Sequence, residues 1–223
     1  RMMKTGRSAV LLFLVFVSVW IPKETLAKDF SLHAAIHHGR EVQLQWDKCP
    51  DASGYLVLRG GDKDESGVPV ITLGADSTKY TDTTLALGDT AYYQVEAVFP
   101  ENGAGLKENP VVTNRCKIYL SGKGDPPVLH VKKQRSQLKF RADHLKGSEA
   151  IYLYGKKKGG KYRLYSITRD SYQLFVNKSR ALFSFKAQNV RGTYIFRVRS
   201  YNMVKGKKVY SNYSKKVTVH FSS

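Results

Sequence analysis

Short runs that alternate polar and apolar residues recur along the chain. The run at 41–46 reads EVQLQW and places every second residue on an apolar face, and residues 91–97 alternate in the same way. A period of two is typical of a β-strand with one buried face. Further short apolar runs lie at 54–59, 70–73 and 79–81, with turn-forming residues between them. No segment after residue 27 has a long amphipathic helical period, so this part of the chain predicts a series of short strands.

The second half repeats this order of runs. Its apolar segments lie at 137–140, 150–154, 162–167, 194–199 and 216–221. Between the halves, the sequence SGKGDPP at 121–127 is rich in Gly and Pro, as linkers often are. We therefore predict an all-β chain with one domain at 28–120, a linker at 121–127 and a second domain at 128–223. Short strands at this spacing favour sandwiches over alternating strands and helices.

The first half contains four distinctive motifs: Val42-x-Leu44-x-Trp46, Gly54-Tyr55-x-Val57, Tyr80-Thr81-Asp82 and Tyr93-x-Val95. Together they resemble the motifs of a fibronectin type III repeat. The family has a Trp in its second strand, a Gly-Tyr-x-Val strand next, and a Tyr-x-Val strand later. The resemblance implies two immunoglobulin-like β-sandwiches in tandem, a fold that usually binds partners and performs no chemistry.

The second half is similar to a more divergent member of the same family. Phe140 stands where the family has Trp, and Tyr194 in Gly192-Thr193-Tyr194-x-Phe196 matches the position of the family's tyrosine corner. In the first half that position aligns with Ala91. The resemblance therefore implies a corner tyrosine in the second domain only.

The first 27 residues have the layout of a secretory signal peptide. Basic Arg1, Lys4 and Arg7 precede a run of 13 almost uniformly apolar residues at 9–21, and Thr25-Leu26-Ala27 offers small residues for cleavage. A bilayer-spanning helix needs about 20 residues, so this run is short for an anchor. We expect residues 1–27 to direct the chain to a secreted, extracytoplasmic or cell-surface location, with an uncleaved N-terminal anchor as the alternative.

Cys49 and Cys116 are the two cysteines of the chain, and both lie in the first half. An even number of cysteines in an exported protein favours a disulfide. The alternatives are two unpaired thiols or part of a metal site. A metal site is disfavoured because the sequence has no Cys-x-x-Cys pair and no clustered His beside these cysteines.

The positive charge of the chain belongs almost entirely to the second half. The whole chain has 37 Lys and Arg against 18 Asp and Glu, for a net charge of +19. Residues 1–125 have 14 basic and 15 acidic residues, whereas residues 126–223 have 23 basic residues and three acidic ones, a net of +20. A field of this size attracts polyanions.

We therefore predict a polyanion-binding surface on the second domain, in which tyrosines interleave with the basic residues. Its candidate residues are Lys132, Lys133, Arg135, Lys156, Lys157, Lys158, Lys161, Arg163, Arg197, Arg199, Lys205, Lys207 and Lys208. Candidate partners are an anionic polysaccharide, a cell-wall polymer, an anionic lipid surface or an acidic protein, whereas export disfavours intracellular nucleic acid. The competing interpretation is a lysine-rich solvated surface without a ligand.

The sequence contains no recognisable catalytic, metal or cofactor motif. It has no phosphate-binding glycine loop and no nucleophile motif, and the second half has too few carboxylates for easy acid–base catalysis. The loop at 62–67 begins like a calcium loop, but the twelfth position is Leu73 where calcium needs an acid. We therefore predict a non-catalytic binding or adhesion module without cofactor or metal. The alternatives are a structural spacer or an accessory module of an exported polysaccharide-degrading system.

Overall fold

A computed structural model describes residues 30–100, 110–134, 137–165, 179–186 and 190–221 of the chain. The predicted signal peptide, 1–27, lies outside these residues. The described residues of the first domain form the strands β1 (Leu32–His37), β2 (Glu41–Trp46), β3 (Gly54–Gly60), β4 (Val68–Gly74), β5 (Lys79–Asp82), β6 (Thr90–Val98), β7 (Val111–Val112) and β8 (Cys116–Tyr119). Those of the second domain form β9 (Val128–Gln134), β10 (Gln137–Asp143), β11 (Ala150–Lys157), β12 (Arg163–Tyr165), β13 (Arg180–Lys186), β14 (Gly192–Val204), β15 (Lys207–Tyr210) and β16 (Val217–Phe221).

The first domain consists of two antiparallel sheets around one core. One sheet has the order β1-β2-β5, and the other has the order β4-β3-β6, with β7 and β8 both paired to β6. The alternating residues predicted to face inward are buried, and Trp46, Tyr55 and Tyr93 are the largest side chains of this core. Trp46 packs against Tyr55 with ring centroids 5.7 Å apart. The period of two in the sequence therefore produces the buried face of each sheet.

The second domain repeats this arrangement. One sheet has the order β13-β10-β9, and the other has the order β12-β11-β14-β15, with β16 also paired to β14. Phe140 lies at the centre of the core and contacts the rings of Phe183, Phe185 and Phe196. The residues that connect β8 to β9 form no strand.

The prediction of two all-β sandwiches in tandem is confirmed. The run predicted at 41–46 coincides with β2, and the run predicted at 91–97 lies within β6. Among the residues described, no helix is long and apolar enough to span a membrane. Side chains available for binding therefore lie on the outer faces of the sheets and in the turns that connect the strands.

The predicted disulfide between Cys49 and Cys116 is not formed in the structure. The Cys116 thiol donates a hydrogen bond to the carbonyl of Leu32 on β1, with an Sγ–O distance of 3.1 Å. Cys49 is buried in the first core, where its backbone N–H donates to the hydroxyl of Tyr55 at 2.9 Å. Local partners on neighbouring strands therefore engage each cysteine, and an even cysteine count alone did not reveal this.

The two sandwiches meet at a junction built around Arg40 of the first domain and Asn202 of the second. Nη2 of Arg40 donates to the Glu149 carboxylate at 2.9 Å and to Oδ1 of Asn202 at 3.3 Å. Asn202 is fully buried, and its Nδ2 donates to the carbonyl of Gly122 in the connecting segment at 2.7 Å. A single buried amide therefore ties both domains to the segment that joins them.

Further contacts reinforce this junction. The backbones approach so closely that a Cβ atom on Gly147 would lie 2.6 Å from the carbonyl oxygen of His38, and Gly147 also has a φ of +73°. Glycine at that position leaves room for the carbonyl and adopts the positive φ without strain. Two ion pairs also cross the junction, with N–O distances of 3.1 and 3.0 Å: Lys146 with Glu41, and Lys205 with Asp89.

A fully buried carboxylate, Asp82, organises one end of the first domain. The Tyr93 hydroxyl and Arg59 Nη1 each donate to Oδ2 of Asp82 at 2.7 Å, and the backbone and hydroxyl of Thr84 each donate to Oδ1 at 2.7 Å. Ala91 occupies the corner-tyrosine position of the first domain, and Tyr93 on the same face supplies a buried hydroxyl instead. Burial raises the pKa of Asp82, but the hydrogen bonds from Thr84, Tyr93 and Arg59 outweigh it and lower that pKa overall.

We expect Asp82→Asn to destabilise the protein by about 3 kcal/mol, because it leaves the half-buried Arg59 guanidinium without its carboxylate. Urea unfolding at pH 7 measures this loss. Asp76→Asn is the matched control, since the Asp76–Lys48 pair is exposed and such pairs contribute about 1 kcal/mol or less. Equal losses in the two variants would contradict the structural role of Asp82.

The stabilisation that Asp82 provides should also depend on pH. Because the folded-state pKa of Asp82 is lowered, its stabilisation is complete above the unfolded pKa of about 3.9 and is lost as pH falls through the folded value. The difference in unfolding free energy between wild type and Asp82→Asn should therefore shrink between pH 5 and pH 2. A difference that stays constant over this range would contradict the lowered pKa.

Candidate functional site: a cation–tyrosine ladder on the second domain

The outer face of the second domain's larger sheet depends on the alternation of β14. From Phe196 to Val204, every second residue of this strand is buried, and the residues between them point outward. Arg197 and Arg199 are neighbours on the outer face. Residues two apart on a strand lie about 6.6 Å apart along it, which leaves room for one aromatic ring between the two guanidinium groups.

The Arg197 guanidinium lies between two tyrosine rings. Its Cζ is 4.1 Å from the ring centroid of Tyr162 and 3.7 Å from that of Tyr213. The Nζ of Lys156 also lies over the Tyr162 ring, 4.9 Å from its centroid. Cations over the faces of aromatic rings contribute about 0.5–1 kcal/mol each when exposed and about 2 kcal/mol when desolvated.

Arg199 continues the same stack. Its Cζ lies 3.7 Å from the ring centroid of Tyr210 and 4.8 Å from that of Tyr213. Its Nε and Nη2 donate to the hydroxyl of Tyr154 at 3.2 and 2.9 Å, which fixes the rotation of the guanidinium plane. Cations and tyrosines therefore alternate in one stack, which we call the ladder: Lys156, Tyr162, Arg197, Tyr213, Arg199 and Tyr210.

A second cation–tyrosine group lies beside the ladder. Lys208 Nζ lies 4.9 Å from the ring centroid of Tyr152 and 4.8 Å from that of Tyr201, and it also donates to the Tyr152 hydroxyl. This hydrogen bond raises the pKa of Lys208, so the side chain stays charged at neutral pH. Lys208 is placed by the turn between β14 and β15, where Lys205 and Gly206 both have positive φ, as two-residue hairpin turns require.

A Tyr-Ser pair that occurs twice, three residues apart, holds the ladder tyrosines in place. In Tyr210-Ser211-Asn212-Tyr213-Ser214, both serine hydroxyls accept hydrogen bonds from β14: Ser211 from the backbone of Ser200 at 2.9 Å, and Ser214 from that of Val198 at 3.0 Å. The two serine N–H groups donate back to the carbonyls of the same β14 residues at 3.0 and 2.7 Å. Because the pair repeats every three residues, both serines bond to the backbone of β14, while Tyr210 and Tyr213 lie over Arg199 and Arg197.

The structure brings four of the predicted polyanion-binding residues into this face: Lys156, Arg197, Arg199 and Lys208. A second set is exposed in and around the neighbouring turn between β11 and β12: Lys157, Lys158, Lys161 and Arg163. The remaining described candidates are more scattered. Lys132 and Lys133 lie on β9 in the other sheet, Lys207 is exposed on β15, and Lys205 pairs with Asp89 at the junction. Arg135 lies outside the described residues.

Sequence reasoning missed Tyr210 and Tyr213 and the two serines that position them. Their signal was the Tyr-Ser pair repeated at a spacing of three, close to a strand in which Arg alternates with apolar residues. Tyr165 also lies among the basic residues of the second half, but its partly exposed ring lies outside the ladder, with its centroid 5.9 Å from that of Phe185.

The ladder offers hydrogen-bond donors that a ligand can use. Within the described ranges, no three His, Cys, Asp or Glu side chains are grouped so that they could hold a metal ion. The rings cover the faces of both guanidinium groups, so the in-plane N–H edges are the donors left for a ligand. Fixed edges of this kind match planar or forked acceptors such as carboxylate and sulfate groups.

Comparisons with known proteins show likeness in fold alone. No family model and no curated protein matches the sequence. Among solved structures, the chicken interferon gamma receptor alpha chain matches with a TM-score of 0.52 and 11% identity, over 86% of this chain and 97% of that chain. The human OSCAR ligand-binding domain matches with a TM-score of 0.31 and 14% identity, over 86% and 98%. The first of these supports the assignment of immunoglobulin-like sandwiches.

We expect Ser214→Ala to destabilise the protein by about 1–3 kcal/mol, because it leaves the buried N–H of Val198 without its acceptor. The midpoint of urea unfolding measures the loss. Ser184→Ala is the control, since Ser184 is exposed on β13 and surface substitutions usually change stability by about 0.5 kcal/mol or less. Equal midpoints for Ser214→Ala and wild type would show that the serine does not hold the repeat against β14.

Proposed function

We propose that the chain is an exported, non-catalytic binding module whose basic second domain engages an anionic partner. The observation that carries this proposal is the charge asymmetry, since residues 126–223 have 23 basic and three acidic residues while residues 1–125 are nearly neutral. Uncompensated positive charge on one domain concentrates anionic partners and speeds their association. Export rests on the signal-peptide layout of residues 1–27.

The acidic residues described in the second domain do not offset the ladder. Asp143 lies within 2.6 Å of Arg180, 3.0 Å of Arg141 and 3.2 Å of His130, all on or beside the smaller sheet. Burial raises the pKa of Asp143, but these partners lower it overall, so this carboxylate stays ionised and engaged there. Glu149 pairs with Arg40 at the junction. The larger sheet's cations therefore face solvent without carboxylates beside them in the described structure.

Two neighbouring groups of cations on the second domain can bind the same partner. The ladder supplies oriented guanidinium groups, and the β11–β12 turn beside it supplies exposed lysines at 157, 158 and 161. Flexible lysines provide long-range attraction, whereas fixed arginines provide directional hydrogen bonds. This combination supports binding of a flexible or extended anion.

An acidic protein is the second candidate partner. The receptor chain with the similar fold is named for a protein ligand, interferon gamma, and sandwiches of this kind present loops and sheet faces to protein partners. Tyr and Arg are also enriched at the energetically dominant positions of protein interfaces. The ladder would then present its arginine edges to acidic side chains.

We expect the triple variant Lys157→Gln, Lys158→Gln, Lys161→Gln to bind heparin at least about threefold more weakly than the wild-type chain, because each of the three lost charge pairs contributes about 0.2 kcal/mol or more. Titration calorimetry on the full chain measures the affinity. Lys63→Gln, Lys79→Gln, Lys117→Gln is the matched control, with the same charge change on exposed strands and loops of the first domain.

Affinity should also fall steeply between 0.1 and 1 M salt, as the Debye length shortens from about 10 to about 3 Å. Equal weakening by the two triple variants, or binding that is indifferent to salt, would overturn the proposed role of the second domain.

A further inference from the structure

We propose that the ladder is the binding track for a single extended chain of an acidic polysaccharide, laid along β14. This inference rests on the proposed function and names both the partner class and the surface that receives it. Loop lysines alone would bind many polyanions without preference for shape. The ladder adds a fixed, one-dimensional arrangement of cations.

The cations of this face form a row in register with β14. Lys156 on β11 pairs with Ile195, and Lys208 on β15 pairs with Met203. Arg197 and Arg199 lie between these two levels on β14 itself. Eight residues of strand at about 3.3 Å each span about 26 Å. The Cα positions of these four basic residues therefore span about 26 Å along the strand direction, a length that suits an extended polymer better than a small anion.

The tyrosines determine how each arginine can be approached. Rings cover both faces of the Arg197 guanidinium, and its Nε is buried, so its Nη groups form the outer end of the side chain. Arg199 directs Nε and Nη2 to the Tyr154 hydroxyl, which leaves Nη1 for a ligand. Each arginine thus presents in-plane N–H donors, the geometry that carboxylate and sulfate oxygens accept.

Stacking also lowers the entropic cost of binding. A free arginine side chain loses about 0.5–1.5 kcal/mol of rotamer freedom when a ligand immobilises it. In the ladder, Tyr162, Tyr213 and Tyr210 already restrict both arginines before a ligand arrives. Tyrosine provides this rigidity with few rotatable bonds of its own and keeps a hydroxyl available for hydrogen bonding.

The shape of the row favours a polysaccharide over a lipid surface or a folded protein. A vesicle distributes its charge over a plane and would contact the exposed lysines of the β11–β12 turn before the half-buried arginines of the sheet. A folded acidic protein would need to match a row about 26 Å long with a ridge of carboxylates. A linear polymer with an anionic group on successive sugars meets the row without such a requirement.

The test exchanges arginine for lysine in the full-length chain, so that the charge is unchanged. Arg197→Lys, Arg199→Lys should bind heparin about tenfold more weakly than wild type, because lysine has neither the forked donors nor the planar stacking of arginine. Arg115→Lys, Arg191→Lys is the matched control, since both residues are exposed and lie outside the ladder and the β11–β12 turn. We expect the control to bind like wild type.

A length series keeps the test decisive if the double variant is less stable. Heparin oligosaccharides of increasing length should bind wild type more tightly until they span about 26 Å, after which the affinity per chain should level off. If Arg197→Lys, Arg199→Lys binds like wild type while the Lys157, Lys158 and Lys161 variant loses affinity, the ladder proposal is overturned and the proposed function stands. If no polyanion binds the wild-type chain, both fail. Tighter binding to phosphatidylserine vesicles or to poly-glutamate than to heparin would overturn the polysaccharide assignment.

Discussion

The strict alternation of β14 from Phe196 to Val204 is the constraint on which the second domain depends. Its inward residues Phe196 and Val198 fill the core, and further along the same face Asn202 is buried at the junction with the first domain. Its outward residues include both ladder arginines. Because every side chain of a strand is committed to one face or the other, core, junction and candidate binding surface are placed relative to one another by a single element.

The Tyr-Ser repeat holds tyrosine rings against the outward arginines of β14. A strand that carries two adjacent arginines on its outer face would ordinarily leave them mobile and mutually repelling. The serines bind the backbone of β14 through hydroxyl and N–H groups, and this brings one tyrosine between the arginines and another beyond them. The same contacts satisfy buried N–H groups and separate like charges, so stability and ligand geometry have a common physical origin.

Much of the fold could be predicted from the sequence, because a period of two is a local signal. The run at 41–46 gave β2 with its full length, whereas the run at 194–199 gave only the middle of β14. The strand continues through buried Ser200 and Asn202, polar residues that break an apolar pattern. The backbone N–H of Ser200 donates to Ser211 of the repeat, and the side chain of Asn202 donates to Gly122 at the junction. Those partners are distant in sequence, so no local pattern could reveal them.

The candidate site was predictable in part for the same reason. Clusters of Lys and Arg show where charge is concentrated, and alternation places Arg197 and Arg199 on an outer face. Their contact with Tyr162 and Tyr213 depends on how the residue before β12 and the segment after β15 lie against the outer face of β14, which is tertiary information. The cysteines show the converse error. An even number of cysteines predicted a disulfide, whereas in the structure the Cys116 thiol donates a hydrogen bond to the carbonyl of Leu32.

The most direct measurement of the central claim is an NMR titration of the arginine side-chain Nε–Hε signals with a heparin oligosaccharide about 26 Å long. The account predicts that the signals of Arg197 and Arg199 are protected from solvent exchange in the free protein, and that they shift the most when the oligosaccharide is added. Signals from Arg59 and Arg115 in the first domain should remain unchanged. Shifts confined to lysine signals of the β11–β12 turn, with Arg197 and Arg199 unaffected, would contradict it.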